Sequence, residues 1–221
     1  MGSPEVSRMR VARHARCFAA VLLGCLAVAG PASAQSAAGT VVTARSILAE
    51  QPQDVLDELE SKSWVMTEDD ADATFVTALV IFEAPLERSM RLISQTGRQV
   101  EFRPELKAND TLETYEDGTL ERQRLRIMFT NIVYHLRYRV DFDAHRVSWD
   151  LDTSRENDLK EVSGYWELYA IDESHTLVKF GTRVDVGSLP GFLQDYATRK
   201  NVPKSLQNAR RWVNSDGTWR H

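Results

Sequence analysis

The chain has 221 residues, 43% of them hydrophobic and 27% charged, with a formal net charge of −5. That acidic balance excludes nucleic acid as the main partner, because a phosphate backbone calls for a basic footprint. The length suits one domain with a sizeable core once a leader is removed.

The leader is residues 1–34. Arg8, Arg10, Arg13 and Arg16 give a basic start, Cys17 to Gly30 is apolar and small, and Pro31-Ala32-Ser33-Ala34 offers an A-x-A site before Gln35. This is the anatomy of a secretory signal peptide, and its apolar run is short for a transmembrane helix. The expected product is exported, periplasmic or secreted. The alternative rests on Leu22-Leu23-Gly24-Cys25, which resembles a lipobox and would leave the product lipid-anchored through Cys25. Cys17 and Cys25 are the only two cysteines. A form cleaved after Ala34 therefore makes no disulfide and has neither a thiolate metal site nor a cysteine nucleophile.

Residues 35–72 read as an N-terminal extension. Gln35 to Thr43 is small and polar, a tether. Ala44 to Ser61 predicts a short helix, with Val55 and Leu59 at i, i+4 and Asp54 as a candidate N-cap. Glu68-Asp69-Asp70 is an acidic loop. The main domain is expected over residues 73–216. It opens at Thr74–Glu83, which is apolar on both faces and predicts a strand covered on both sides. At Ala84-Pro85 the pattern changes to helix: proline suits the first helical position, Glu87 suits the positive end of the dipole, and Leu86, Met90 and Ile93 share a face before Gly97.

From Leu106 the chain reads as an antiparallel meander: Leu106–Tyr115, Thr119–Phe129, Ile132–Phe142, Arg146–Asp152, Gly164–Ile171 and Thr176–Val186. Turns are expected at 116–118, 142–145 and 172–175, and a flexible loop at Thr153–Ser163. The clearest strand is Ile132–Phe142, where Ile132, Tyr134, Leu136, Tyr138, Val140 and Phe142 alternate with His135, Arg137, Arg139 and Asp141. After a short helix near Phe192, the segment from Val202-Pro203 carries one apolar stripe, Val202, Leu206, Ala209 and Val213. The same end holds Arg199, Lys200, Lys204, Arg210, Arg211 and Arg220. These suggest a solvated face or a transient membrane-surface contact through a basic C-terminal helix.

Four segments in this order carry a family resemblance. Ile81-Phe82-Glu83-Ala84-Pro85-Leu86-Glu87 joins an apolar strand to a helix at A-P-x-E. Arg103-Pro104-Glu105-Leu106 is a proline-marked strand start. Gly164-Tyr165-Trp166-Glu167-Leu168, followed by Thr176-Leu177-Val178, forms paired late strands. Val202-Pro203-Lys204-Ser205-Leu206 opens a closing helix. Over residues 74–214 the chain resembles the START-like helix-grip (SRPBCC) superfamily, nearest to its bacterial coenzyme Q-binding and polyketide-cyclase-like members. The resemblance implies an α+β fold in which a curved, seven-stranded antiparallel sheet wraps a long C-terminal helix. It also implies a cavity for a hydrophobic small molecule or lipid between the two; a structure with no cavity above about 300 Å³, the usual small-ligand range, would favour an interaction module over a carrier.

Candidate ligand-binding residues are Tyr134, Leu136, Tyr138, Trp149, Trp166, Phe180, Phe192 and Leu206; aromatic walls give large contact area, and Tyr and Trp add a polar tip. The row Arg122, Arg124 and Arg126 could hold an acidic head group, but fits a solvated outer face paired with acids such as Glu113. His135, His145 and His175 lack metal spacing. Asp141/Asp143 and Asp150/Asp152 sit beside turns rather than in a cleft. No catalytic signature, cofactor motif or metal set is read. The expected function is an exported binding or carrier protein for a hydrophobic ligand, a lipid, quinone or polycyclic molecule, held between sheet and terminal helix. Its alternatives are an aromatase/cyclase-like enzyme using a cavity Arg or Tyr as acid, and an envelope interaction module without ligand. Asn109-Asp110-Thr111 matches a glycosylation sequon.

Overall fold

A computed structural model describes residues 42–66 and 75–221. The leader with Cys25, most of the tether and the acidic loop lie outside the described residues. Eight strands form one antiparallel sheet in the order β1-β2-β8-β7-β6-β5-β4-β3. They are β1 Trp64–Met66, β2 Phe75–Phe82, β3 Leu106–Tyr115, β4 Gly118–Ile127, β5 Thr130–Asp141, β6 Arg146–Leu151, β7 Glu161–Ala170 and β8 Thr176–Asp185. The helices are α1 Ala44–Ala49, α2 Gln53–Lys62, α3 Leu86–Ile93, α4 Phe192–Asp195 and α5 Val202–Asn214. A 3-10 turn, Thr96–Glu101, follows α3, and a π-helical stretch, Tyr196–Asn201, joins α4 to α5.

The sheet has one strand more than expected. The extra strand is β1, which pairs with β2 through Trp64↔Val80 and Met66↔Ala78. The segment before it makes two helices rather than one. The Thr43 hydroxyl accepts from the Ser46 amide at 3.2 Å while the Ser46 hydroxyl accepts from the Thr43 amide at 3.0 Å, a reciprocal cap that starts α1. Pro52, not Asp54, is the N-cap of α2; Asp54 lies in its first turn. The two helices explain why β2 is apolar on both sides. Ala44, Ile47 and Leu59 cover Leu79 and Leu177 on the outer face, while Ala78, Val80 and Phe82 enter the main core on the inner face.

The inner face is closed by α5, whose Val202, Leu206, Ala209 and Val213 are all buried, as is Trp212. Two polar ties fix it. Asn208 donates to the Phe102 carbonyl at 3.0 Å, and the Asn214 amide oxygen accepts from the Glu83 amide at 2.9 Å. Close strand approach depends on glycine at two places. A Cβ on Gly164 would stand 2.3 Å from the Trp149 ring, and one on Gly181 would stand 2.6 Å from the Tyr165 ring.

Four local expectations change. Strand β4 stops at Ile127, and the hairpin turns through Met128 (φ 54°) and Phe129, both exposed. Phe142 lies past the end of β5 and is exposed, so it does not extend the inner face. The 153–163 segment is tied down rather than free. Asp158 accepts from the Val133 amide at 2.7 Å and Asn157 from the His135 amide at 2.8 Å, which seats Leu159 in the core. Likewise, α3 has Pro85 at its N-cap and ends at Ile93 with Ser94 as C-cap; Gly97 falls inside the 3-10 turn.

Candidate functional site

A cavity of about 100 Å³ lies between the sheet's inner face and the closing helices. It is smaller than the expected 300 Å³ because aromatic rings fill the space. Tyr138 and Trp149 have ring centroids 6.0 Å apart, Trp149 and Phe180 6.0 Å, and Trp166 and Phe180 4.6 Å. Alternation along β5, β6, β7 and β8 aims these side chains inward. Gly164 leaves room for Trp149 to lie across β7.

Tyr134, Leu136, Tyr138, Trp149, Trp166, Phe180 and Leu206 all line this cavity. Phe192 does not. As the first residue of α4 it is 50% exposed, and the next residue, Leu193, turns inward instead. The roof is made by Leu193 of α4, Ala197 and Asn201 of the π-helical stretch, and Val202, Ser205 and Leu206 of α5.

The cavity has a polar end that the sequence analysis missed. Gln99 of the 3-10 turn and Arg103 line it together with Tyr134 and Tyr138. Arg103 donates through Nη1 to Gln99 Oε1 at 2.6 Å and to Gln123 Oε1 at 3.3 Å. The amides of Gln99 and Gln123 both donate to the Tyr138 hydroxyl, at 2.9 and 3.0 Å, and the Tyr134 hydroxyl donates to Gln123 at 2.7 Å. Burial, with Glu121 nearby, pushes the Tyr138 phenol well above its ordinary value and keeps it neutral. Next along β4, the fully buried Glu121 carboxylate accepts from Thr119 at 3.0 Å, from Asn109 at 2.7 Å and from Thr96. The signal was present in the sequence: the exposed row Arg122, Arg124 and Arg126 marks the outer face of β4, so Glu121 and Gln123 must share the inner face with Leu125 and Ile127. No sequence pattern marks Gln99 or Arg103 as cavity residues.

The other candidates have local partners. The arginine row is exposed, but Glu113 pairs with Arg155 at 2.6 Å rather than with the row. Asp150 pairs with Arg139 at 2.7 Å, and Asp152 with Arg155 at 3.2 Å. His135 contacts Asn157, and His175 contacts Asp172. The Asn109 amide nitrogen is occupied by Thr96 and Glu121, so it is a poor glycosylation acceptor. At the basic end, Lys204 pairs with Glu105 at 2.9 Å, Arg220 with Glu101 at 3.2 Å, Arg199 with Asp195 at 3.8 Å, and Arg210 with Glu83. Much of that charge is thus neutralised within the molecule.

No protein-family model matches the sequence. No curated protein matches it either. Solved structures do. A Thermus thermophilus protein, TTHA0849, is similar with a TM-score of 0.56 at 19% identity, over 65% of this chain and 99% of that one. The Zhui aromatase/cyclase of Streptomyces sp. R1128 is similar with a TM-score of 0.55 at 12% identity, over 63% and 92%. A START superfamily protein from Mycobacterium smegmatis is similar with a TM-score of 0.55 at 16% identity, over 64% and 97%. At such identities the likeness establishes architecture and nothing finer. The chain has a START-like helix-grip fold, with one edge strand more than the seven expected and two helices on the outer face of the sheet.

Proposed function

We propose that this protein binds a hydrophobic small molecule between its sheet and its closing helix. One observation carries the reading: the cavity wall is apolar and aromatic, and the stretch Tyr196–Asn201, which helps roof it, departs from α-helical geometry. Stretches of π-helix are rare and occur often at functional sites. Burial of apolar ligand surface would supply about 25 cal/mol per Å². A void of about 100 Å³ admits only a slender ligand as it stands, so a larger one requires Leu193, Ala197 and Val202 to move outward.

The size of the void favours a second reading, an interaction module whose cavity has closed. Native mass spectrometry of the protein purified from its own source, followed by organic extraction, separates the two. A co-purifying apolar molecule supports binding; a clean apo mass across independent preparations refutes it. We further propose that residues 1–34 direct export. A mature N-terminus at Gln35 supports this, and a lipid-modified Cys25 would replace the soluble form with an anchored one.

A further inference from the structure

We infer that Arg103 is a head-group anchor, and that the ligand is an apolar monocarboxylic acid whose carboxylate meets Arg103 while its body lies along the aromatic wall. This rests on the ligand-binding reading and specifies its chemistry.

The argument begins with charge. The part-buried arginines Arg98, Arg137, Arg146 and Arg210 each face a carboxylate, namely Glu101, Asp117, Glu167 and Glu83. Arg103 does not: no carboxylate of the described residues forms an ion pair with it. Its hydrogen-bond acceptors are the neutral amide oxygens of Gln99 and Gln123. Two residues along, Glu105 acts on Arg103 through space without forming an ion pair with it; its Oε1 accepts from Lys204 at 2.9 Å and Tyr196 at 3.1 Å, and its buried Oε2 has no hydrogen-bond partner. A cation partly withdrawn from water without a carboxylate in contact is costly, and natural structures pair such groups. Here the guanidinium, with the Glu105 carboxylate acting on it from beyond ion-pair distance, lines the cavity itself.

The geometry around it suits an acid. Only Nη1 of Arg103 is used by the two glutamines. A guanidinium presents its donors as a planar fork that matches a carboxylate, and such contacts are the strong class of hydrogen bond. The glutamines hold the fork in place and are themselves held by Tyr138. The inner face of β4 then runs from polar to apolar, Glu121 and Gln123 followed by Leu125 and Ile127. Strand register sets Gln123 opposite Tyr134 and Leu125 opposite Ile132. A ligand with one charged end and an apolar body has a complementary surface for each part. The aromatic tilt of Trp149, Phe180 and Trp166 accepts an aliphatic or an aromatic body.

The test is isothermal titration calorimetry with two matched pairs, octanoate against octan-1-ol and 2-naphthoate against 2-methylnaphthalene, on the mature chain and on Arg103→Gln. The mature chain is expected to bind at least one acid about tenfold or more tightly than its neutral partner, the factor a charge-assisted contact supplies. In Arg103→Gln that preference disappears while binding of the neutral analogue is unchanged. Which pair responds identifies the body as aliphatic or aromatic. Equal affinity for acid and neutral analogue in both pairs overturns the anchor and leaves the ligand-binding reading standing. Binding of none of the four overturns both. A preference retained in Arg103→Gln also overturns the anchor. Circular dichroism monitors the variant's fold; if it does not fold, the acid-to-neutral ratio of the unsubstituted chain still decides.

Discussion

Replacing Trp212 by alanine should be the most damaging single change in the closing helix. Trp212 is fully buried on α5, its ring centroid 5.1 Å from that of Phe102. Truncating a buried tryptophan to alanine costs about 3–5 kcal/mol through lost burial and the cavity left behind. The indole also donates to Glu101 at 2.8 Å, and Arg98 lies 4.9 Å from the ring centroid. A hydrogen bond to a charged group is worth about 1.5–3 kcal/mol. Here it counts for less, because Glu101 keeps Arg98 and Arg220 and its side chain retains some exposure. The expected loss is about 4–5 kcal/mol, a large share of a typical domain's stability. Trp212→Phe keeps the ring and loses the donor, so it should cost about 1–2 kcal/mol. Urea unfolding followed by far-ultraviolet circular dichroism, with the slope unchanged, measures both. A loss below about 2 kcal/mol for Trp212→Ala, or equal losses for both variants, would refute the view that this ring locks the helix onto the sheet.

Three further outcomes are expected. Gly164→Ala should cost about 1–3 kcal/mol by overpacking, since the new Cβ meets both the Trp149 ring at 2.3 Å and the Gly181 carbonyl oxygen at 2.6 Å. Gly191→Ala, with nothing within 4 Å, should be nearly neutral, and equal effects in the two melts would contradict the argument. Acid should destabilise the fold. Asp172 is held at about 2, chiefly by the Ser174 amide. Burial opposes ionisation of Glu101 and Glu105, but the donors Arg98 and Trp212 at one and Lys204 at the other outweigh it, so both lie below the ordinary value. Depressed carboxylates contribute fully above about pH 5 and lose that contribution as the pH falls through their folded values. The melting temperature should therefore be level from pH 7 to about 5 and fall below about 4; a flat profile to pH 3 would count against it. Finally, Glu105→Gln removes the charge that holds Lys204 and Tyr196 of the roof. Because Lys204 is half exposed, the stability loss should be only about 1 kcal/mol. Faster amide exchange should appear at residues 192–206; unchanged exchange there means the pair does not restrain the roof.

The architecture was legible because its signals are periodic. Alternation in β5 and β8 and the stripe Val202, Leu206, Ala209 and Val213 each follow from a single geometric rule, and each lies where expected. What escaped depended on contacts between distant segments. β1 is three residues long and exists through its pairing with β2, and so short a run has no period to detect. Phe192 and Leu193 are adjacent apolar residues, and only the start of α4 decides which one turns inward. The polar cavity end joins the 3-10 turn, Arg103, β4 and β5 across sequence separations of up to 39 residues. Arg103 is marked by nothing local except the proline after it.

The inner face of β4 offers the strongest reason to treat the small void as a site rather than a packing fault. If the sheet and helix only needed to close on one another, Gln123 and Glu121 would be ordinary core positions, and apolar residues of similar volume would serve as well or better. A buried polar group costs about 1–3 kcal/mol unless it is satisfied. Apart from Asn109 Oδ1, which has no partner, this band is satisfied by a chain of partners that runs from Thr96 and Asn109 through Glu121, and from Tyr134 and Tyr138 through Gln123 and Gln99 to Arg103. Each bond in the second run fixes an atom that faces or supports the guanidinium. Replacing Gln123 by methionine would keep the volume and remove the support. The change strands the Tyr134 hydroxyl and one acceptor of the Arg103 fork, so it costs about 1–3 kcal/mol of stability in either case; if the band serves only packing, that loss is the whole effect. If it holds Arg103 for a ligand, the fold tolerates the change while the preference for an acid over its neutral analogue is lost.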